Sequence, residues 1–231
     1  MPAAADPSHH LGSVQWPLPL QDPTAGDLSG PPLRLGVMAS GRGSNFEALV
    51  RACRRGELQA EVVQLVVNVP DCPARGRAER LEVPCTCLDH RRYSDRTCLD
   101  EDLIALFRRR SVQLVVMAGW MRIVTPRLVE AFAGRLINIH PSLLPAFRGM
   151  DAVGQALRAG VRLSGCTVHR VTAEVDAGEI LVQAAVPVLD GDSAVSLAAR
   201  IQEQEHRILP LGVQLAGERL PRDPGPGPIQ G

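Results

Sequence analysis

The chain has 231 residues, of which 45% are hydrophobic and 22% are charged, and this is enough apolar material for the core of one large domain or two small ones. Its 25 basic and 25 acidic residues balance to a formal charge of zero, which argues against a protein that binds nucleic acid by neutralising phosphates. No apolar run reaches about 18 residues, so we expect no membrane-spanning helix.

Every basic residue other than histidine is an arginine, and the chain contains no lysine. A Walker-type phosphate loop and a Schiff-base lysine are therefore excluded. The 6 cysteines form no Cys-x-x-Cys pair, and the first residues lack the segments of a secretion signal. We therefore expect free thiols in a cytoplasmic protein. A zinc site on Cys85 and Cys87 with Cys72 or His90 is the alternative, but its one-residue spacing suits tetrahedral ligation poorly, and we expect no metal.

Composition divides the chain into three parts. Residues 1–32 cluster Pro, Gly, Asp and Ser, and residues 221–231 are rich in Pro and Gly. Neither part has enough apolar side chains to offset the entropy lost on ordering, so we expect a disordered N-terminal arm and a disordered tail. The residues between them, 33–220, are expected to form a single domain without internal repeats.

Within that domain, apolar strands alternate with amphipathic helices. The predicted strands cover residues 33–39, 62–68, 113–119 and 135–140. The predicted helices begin at Ser44, near residue 74, at Cys98 and at Thr125. Ser44 and Glu47 have the spacing of a capping box, and Thr125 before a proline is a typical helix start.

The last third of the domain differs from this alternation. Residues 165–171 and 180–188 both resemble strands and have no helix between them, and a helix over 194–209 follows. We therefore predict an α/β fold: a doubly wound, mostly parallel sheet with an antiparallel C-terminal extension.

The loop Ser40–Asn45, of sequence SGRGSN, lies between the first strand and the first helix. Gly41 and Gly43 permit backbone conformations that direct N–H groups towards an anion at the helix N-terminus. The loop lacks the third glycine of a dinucleotide fingerprint, because Phe46 stands in its place. It suits a single phosphate, and a tight turn without a ligand is the alternative reading.

Two polar residues stand at the carboxyl end of the fourth strand. Alternation places Asn138 and His140 on the same side of that strand. An amide beside an imidazole can stabilise an oxyanion and move a proton, although a structural role for His140 is an alternative. Asp176 lies in a later polar loop, and its carboxylate would favour charged His140 if the two meet; a solvated turn aspartate is the alternative.

The C-terminal helix has polar residues on its apolar stripe. Gln204 and Glu205 fall between Ile201 and Ile208 on the face predicted to be buried. Because desolvating an unpaired polar group is costly, we expect these two side chains to face a pocket.

These segments, in this order, resemble the phosphoribosylglycinamide formyltransferases, folate-dependent enzymes of purine synthesis. The matching runs are SGRGSN, AGWMRIVTP, GRLINIHPSLLPAFRG, TVHRVTAEVDAGEILVQAAVPV and RIQEQEHRILP. The resemblance implies the formyltransferase fold and transfer of a formyl group from 10-formyltetrahydrofolate, as cosubstrate, to the amine of glycinamide ribonucleotide. It implies small-molecule partners only, with no nucleic acid and no membrane, and leaves open a monomer or a homodimer.

The resemblance also assigns candidate residues. The catalytic trio corresponds to Asn138, His140 and Asp176. The ribonucleotide site corresponds to Gly43, Ser44, Asn45, Phe46, Gln202, Glu203, Gln204 and Glu205. The folate site corresponds to Arg96, Met121, Arg122, Ile123, Val124, Asn138, Thr172, Ala173, Glu174, Val175 and Asp176.

The chain departs from the family pattern after the trio's strand. Where relatives commonly read Pro-Gly-x-His, this chain reads Arg148, Gly149, Met150 and Asp151. The Arg-Gly pair also resembles methionyl-tRNA formyltransferases, but these normally have a basic RNA-binding domain, and neutral charge argues against one. A non-catalytic folate- or nucleotide-binding module is the other alternative, although such a module has no chemical need for the trio.

Overall fold

A computed structural model describes residues 14–16 and 30–220. The rest of the predicted arm, residues 1–13 and 17–29, and the predicted tail, 221–231, lie outside the described residues. The strands are β1 Val14–Trp16, β2 Leu33–Ala39, β3 Ala60–Val67, β4 Cys85–Cys87, β5 Leu114–Met117, β6 Leu136–His140, β7 Leu163–Arg170 and β8 Ile180–Pro187. The helices are α1 Ser44–Arg54, α2 Ala74–Arg80, α3 Arg96–Arg109, α4 Pro126–Ala131, α5 Ala152–Ala159 and α6 Ala194–Glu218, with a 3-10 turn at His90–Arg92.

In the described ranges, the strands form one sheet in the order β1-β8-β7-β6-β5-β2-β3-β4. Strands β2 to β6 pair in parallel, whereas β6–β7, β7–β8 and β8–β1 are antiparallel. Helix connections return the chain for each parallel pairing, and the helix-free stretch between β7 and β8 permits only a hairpin. The predicted fold class is confirmed.

The sheet has a separate core on each face. Val37 and Ala39 of β2 pack into a cluster with α1 and α6, and Met38 between them packs with α3 and α4. Alternation along a strand buried on both faces explains the near-continuous apolar runs in the sequence. Within the described residues, no helix is both long enough and apolar enough to cross a membrane.

Helix α1 begins at Ser44, as predicted, but the predicted capping box is wrong. Its N-cap is Gly43, in the left-handed region with φ 72°, and no side chain caps the helix. Ser44 Oγ instead accepts a hydrogen bond from Gln202 at 2.8 Å, and Glu47 pairs with Arg51 and Arg77. The sharp strand-to-helix turn needs positive φ at the N-cap, and this favours glycine over serine there.

The arm predicted to be disordered contains one described strand. Val14–Trp16 pairs antiparallel with β8, in the register Val14↔Ala185 to Trp16↔Gln183. The expectation of disorder is therefore wrong for these three residues. It was based on apolar side-chain burial and took no account of the unpaired backbone groups that the β8 edge offers to an added strand.

Helix α6 is longer than predicted. The predicted end was residue 209, because Pro210 follows and has no N–H for the helix ladder. The helix instead continues to Glu218 with Pro210 inside it. Buried Val213 and Ala216 extend its apolar stripe, and their packing compensates for the lost hydrogen bond.

Candidate active site

The carboxyl ends of the parallel strands β2, β5 and β6 lie at one edge of the sheet. Ligands of open α/β sheets bind beyond this edge. The segments 40–45 and 121–124, which the sequence analysis identified as candidates, follow β2 and β5 there. One hydrogen bond joins them, since the N–H of Met121 donates to Ser40 Oγ at 2.8 Å.

Asn138 and His140 project from the same face of β6, as alternation predicts. Ile137 and Ile139 point the other way, into the core beneath α1 and α6. Asn138 and His140 therefore face the side on which α3 and α4 pack. His140 is buried, with 6% of its surface exposed.

Asp176 reaches both residues from the connection between β7 and β8. Its Oδ2 lies 3.3 Å from His140 Nδ1, and its Oδ1 lies 3.4 Å from Asn138 Nδ2. The connection closes tightly at Gly178, where a Cβ atom would lie 1.9 Å from the Arg170 carbonyl oxygen. The structure thus brings the three predicted catalytic residues into contact.

The pKa of Asp176 is lowered from its usual value. Burial acts to raise this pKa, but hydrogen bonds from His169 and from the Gly149 N–H, together with the charge of His140, outweigh it. Donors that favour the ionised form stabilise the carboxylate. Asp176 is therefore a fixed negative charge beside His140.

Both ring nitrogens of His140 face oxygen acceptors. Nδ1 faces the Asp176 carboxylate at 3.3 Å, and Nε2 lies 2.8 Å from the carbonyl oxygen of Phe147. Because neither oxygen can donate, the ring satisfies both contacts only when both nitrogens are protonated. The geometry favours an imidazolium, which can donate to developing negative charge.

The loop over 147–151 supplies backbone partners that the sequence analysis did not identify. The Phe147 carbonyl accepts from His140, and the Gly149 N–H donates to Asp176 Oδ2 at 2.8 Å. Phe147 and Asp151 both have φ 56°, a conformation that non-glycine residues rarely adopt. Only Gly149 hinted at such a backbone from the sequence.

His169 is a further buried residue of the site that sequence reasoning missed. It lies directly opposite Asn138 in the pairing of β6 with β7. Its Nε2 is 3.2 Å from Asn138 Nδ2 and 3.5 Å from Asp176 Oδ1. The residue stood in a predicted strand, but nothing in the sequence indicated the register that places it beside Asn138.

The candidate ribonucleotide residues of α1 and α6 contact one another. Gln202 Nε2 donates to Ser44 Oγ at 2.8 Å, and Asn45 Nδ2 donates to Glu205 Oε2 at 2.9 Å. Burial raises the pKa of Glu205 above its usual value, although the hydrogen bond from Asn45 partly opposes this. Glu205 and Gln204 are both buried, as predicted.

Two oxygens of this cluster have unused hydrogen-bonding capacity. Asn45 Oδ1 and Gln204 Oε1 are buried and have no hydrogen-bond partner within the described part of the chain. A buried polar atom without a partner is costly, and a polar ligand would satisfy these two. Phe46 is fully buried in the core, so only its backbone is left to contact a ligand, and the side chain of Glu203 is exposed.

The candidate folate residues surround the trio on the other side. Met121, Ile123 and Val175 are large apolar side chains with 75%, 57% and 41% of their surfaces exposed. Apolar groups clustered at the rim of a polar site are typical of a binding surface. Arg96 begins α3. Thr172, Ala173 and Glu174 lie with Asp176 in the connection between β7 and β8.

The two residues that depart from the family pattern form ion pairs outside the trio. Arg148 Nη1 lies 2.6 Å from Glu174 Oε1, which links the 147–151 loop to the connection that contains Asp176. Asp151 pairs with Arg158 at 3.0 Å, and both side chains are exposed. Neither contact joins the hydrogen bonds among Asn138, His140 and Asp176.

An open α/β sheet with an amide, an imidazolium and a carboxylate in contact at its carboxyl edge defines a class of protein. Such a site suits group transfers that pass through a tetrahedral oxyanion and need a proton moved. The chain belongs to the Formyl transferase family, which matches residues 33–213.

Individual relatives agree with this assignment. The chain is 42% identical over 183 residues to the chicken (Gallus gallus) trifunctional purine biosynthetic protein adenosine-3, covering 79% of this chain and 18% of that protein. It is 38% identical to Bacillus subtilis phosphoribosylglycinamide formyltransferase, covering 80% of this chain and 98% of that enzyme. The crystal structure of glycinamide ribonucleotide transformylase 1 from Symbiobacterium toebii superposes with a TM-score of 0.80 at 43% identity, covering 84% of this chain and 92% of that one.

Proposed function

We propose that this protein transfers the formyl group of 10-formyltetrahydrofolate to the amine of glycinamide ribonucleotide, a step of purine biosynthesis. The observation that supports this most directly is the contact among Asn138, His140 and Asp176. The substrate amine is itself a nucleophile, so the reaction needs no side-chain nucleophile. Its demands are oxyanion stabilisation and a path for one proton, and the trio can meet both.

In this proposal the amine forms a bond to the formyl carbon, and the bond from that carbon to the folate nitrogen N10 breaks as the intermediate collapses. Asn138 Nδ2 and protonated His140 donate to the oxyanion of the intermediate. The oxyanion takes the place of the Phe147 carbonyl, which accepts from His140 Nε2 in the structure. Asp176 keeps His140 charged while the proton lost by the amine passes to N10.

Glycinamide ribonucleotide would bind between α1 and α6. The backbone of Gly43, Ser44, Asn45 and Phe46 at the start of α1 offers N–H groups to its phosphate. Buried Glu205 and the unpartnered oxygens of Asn45 and Gln204 would receive ribose hydroxyls or the amine. The exposed apolar rim of Met121, Ile123 and Val175 would cover the ring system of the folate.

A cytoplasmic location is part of this proposal, because the 6 cysteines of the chain are all free and free thiols persist in reducing compartments. The partners in the proposal are the two small molecules, with no metal, and the active unit is a monomer or a homodimer.

The proposal is tested by mixing purified protein with glycinamide ribonucleotide and 10-formyltetrahydrofolate and following the folate spectrum. We expect turnover with this donor, and none when formate and ATP replace it. Asn138→Ala and His140→Ala should each lower kcat by about 100- to 1000-fold, the typical loss for one oxyanion donor.

Ser164→Ala is the matched control, because Ser164 is buried in β7 and its Oγ has no hydrogen-bond partner among the described residues. This variant should keep wild-type turnover. If folded Asn138→Ala and His140→Ala each keep more than about a tenth of wild-type kcat, the assigned roles are wrong. No transfer to glycinamide ribonucleotide by the wild type contradicts the proposed function itself.

A further inference from the structure

The proton on the His169 ring can be placed from its hydrogen bonds. His169 Nδ1 lies 2.8 Å from the carbonyl oxygen of Arg170, and a carbonyl can only accept. Nδ1 therefore bears a proton. The side chain is 2% exposed, so water does not compete for either nitrogen.

The other ring nitrogen determines how the Asn138 amide is oriented. Nε2 lies 3.2 Å from Asn138 Nδ2, which can only donate. An uncharged ring with its single proton on Nδ1 accepts this hydrogen bond at Nε2. A doubly protonated ring would place two donors face to face, and the amide would have to turn its oxygen towards His169.

The orientation of this amide matters for the transfer reaction. An Asn138 side chain turned the other way would present Oδ1, a partial negative charge, where Nδ2 now faces the site. An oxyanion beside Oδ1 would be repelled instead of stabilised. Asp176 Oδ1, at 3.4 Å from Nδ2, supports the same orientation through a longer contact.

We propose that His169 is a positioning residue whose uncharged ring, protonated at Nδ1, holds the Asn138 amide with its NH₂ group directed into the active site. The kinetic consequence rests on the proposed function, and the position of the proton does not. His169 acts through Asn138 and does not touch the reacting atoms. Its role should therefore appear in kcat and leave substrate binding nearly unchanged.

The kinetic test compares two substitutions. His169→Leu removes the acceptor and should lower kcat by roughly 10- to 100-fold, the scale for a misplaced catalytic group, with KM for both substrates within about threefold. His169→Gln places Oε1 near the Nε2 position and should recover most of the lost kcat. Equal kcat values for the two variants, or a Leu variant within about twofold of wild type, would overturn the proposal.

Val168→Ala is the matched control for a general weakening of β7. Val168 is buried on the opposite face of the same strand, against α6. We expect it to lower the melting temperature while kcat stays within about twofold of wild type, because it leaves the Asn138 amide in place. A control that loses kcat as His169→Leu does would assign the effect to folding, and the positioning role would be rejected.

A spectroscopic measurement tests the proton position without any substrate. Nitrogen-15 NMR of the histidine-labelled wild type, with the His169 signals assigned by their loss in His169→Gln, should show protonated Nδ1 and unprotonated Nε2 at neutral pH. Protonated Nε2 would overturn the proposal. Failure of the formyl transfer assay with this NMR pattern intact would count against the proposed function and leave the placement of the proton standing.

Discussion

At the scale of single residues, the site contains two carboxyl groups whose environments act in opposite directions. Burial tends to raise the pKa of both Asp176 and Glu205. At Asp176 several donors and a charged imidazole outweigh burial, and the pKa is lowered. At Glu205 one hydrogen bond from Asn45 does not outweigh it, and the pKa is raised. Asp176 is therefore stabilised as the anion, and the protonated form of Glu205 is favoured.

The first prediction concerns the acid side of the stability profile. Because the folded pKa of Asp176 is lowered, its charge stabilises the fold above the unfolded pKa of about 4, and this contribution is lost as pH falls through the lower folded value. We expect the difference in unfolding free energy between wild type and Asp176→Asn to shrink as pH falls below about 4. Urea titrations at several pH values measure it, and a difference that stays constant down to pH ~2 would contradict the assignment.

The second prediction concerns Glu205 and has the opposite sign. A raised folded pKa favours folding below the unfolded pKa of about 4.3 and lowers stability as pH rises through the folded value. Glu205→Gln keeps an oxygen for Asn45 but has no charge to desolvate, so it should unfold at higher temperature than wild type at pH ~8, with a smaller gain at pH ~5. It should also raise KM for glycinamide ribonucleotide.

Calorimetry at the two pH values measures that gain. Glu203→Gln is the control, because this neighbour is exposed on the same helix and should show no such pH-dependent gain. A Glu205→Gln protein less stable than wild type at the higher pH would refute the burial argument.

At the scale of elements, the turn from β2 into α1 depends on one backbone conformation. Gly43 has φ 72°, and a Cβ atom there would lie 2.7 Å from Ala74 Cβ at the start of α2. The turn is further tied to α2 because the Ala74 N–H donates to the Gly41 carbonyl at 3.2 Å and Arg77 Nε donates to the Arg42 carbonyl at 2.8 Å. Helix α2 thus fixes the loop proposed to bind phosphate.

The third prediction tests this turn with two glycines. Gly43→Ala combines a left-handed conformation with a close contact and should lower the unfolding free energy by about 1–3 kcal/mol and raise KM for glycinamide ribonucleotide. Gly41→Ala is the control, because nothing lies within 4 Å of a Cβ atom there, and its stability should change by less than about 1 kcal/mol. Equal effects on stability would show that the conformation of Gly43 is not the cause.

At the scale of the whole molecule, β1 covers an edge of the sheet that is remote from the trio. It pairs with β8, and β7 separates β8 from β6, which contains Asn138 and His140. An uncovered strand edge has free backbone N–H and C=O groups that can pair with another chain. The function of β1 in this arrangement is to occupy that edge, and the chemistry does not depend on it.

The fourth prediction is that a chain starting at residue 30 keeps kcat within about twofold of the full-length protein, because the residues removed do not touch the trio. The same truncation should increase concentration-dependent self-association through the β8 edge, as measured by light scattering. The expectation fails if kcat drops sharply in a truncated protein that remains folded, or if association does not change.

Much of the architecture was predictable because it depends on local pattern. The apolar runs of β2, β5 and β6 and the helix-free connection before β8 indicated the sheet and its antiparallel end. Two strands and one helix were missed: β1, β4 and α5. The first two have 3 residues each, too few to show a period.

By itself, the sequence determined the alternation of strands and helices, the face of β6 that displays Asn138 and His140, and the buried position of Glu205, because each depends on the spacing of neighbouring residues. The tertiary structure decided which distant groups meet: Asp176 with His140, His169 with Asn138, and the Phe147 carbonyl with the imidazole. These contacts depend on strand register and on the path of two loops. Both result from the packing of the whole chain, which has no one-dimensional signature.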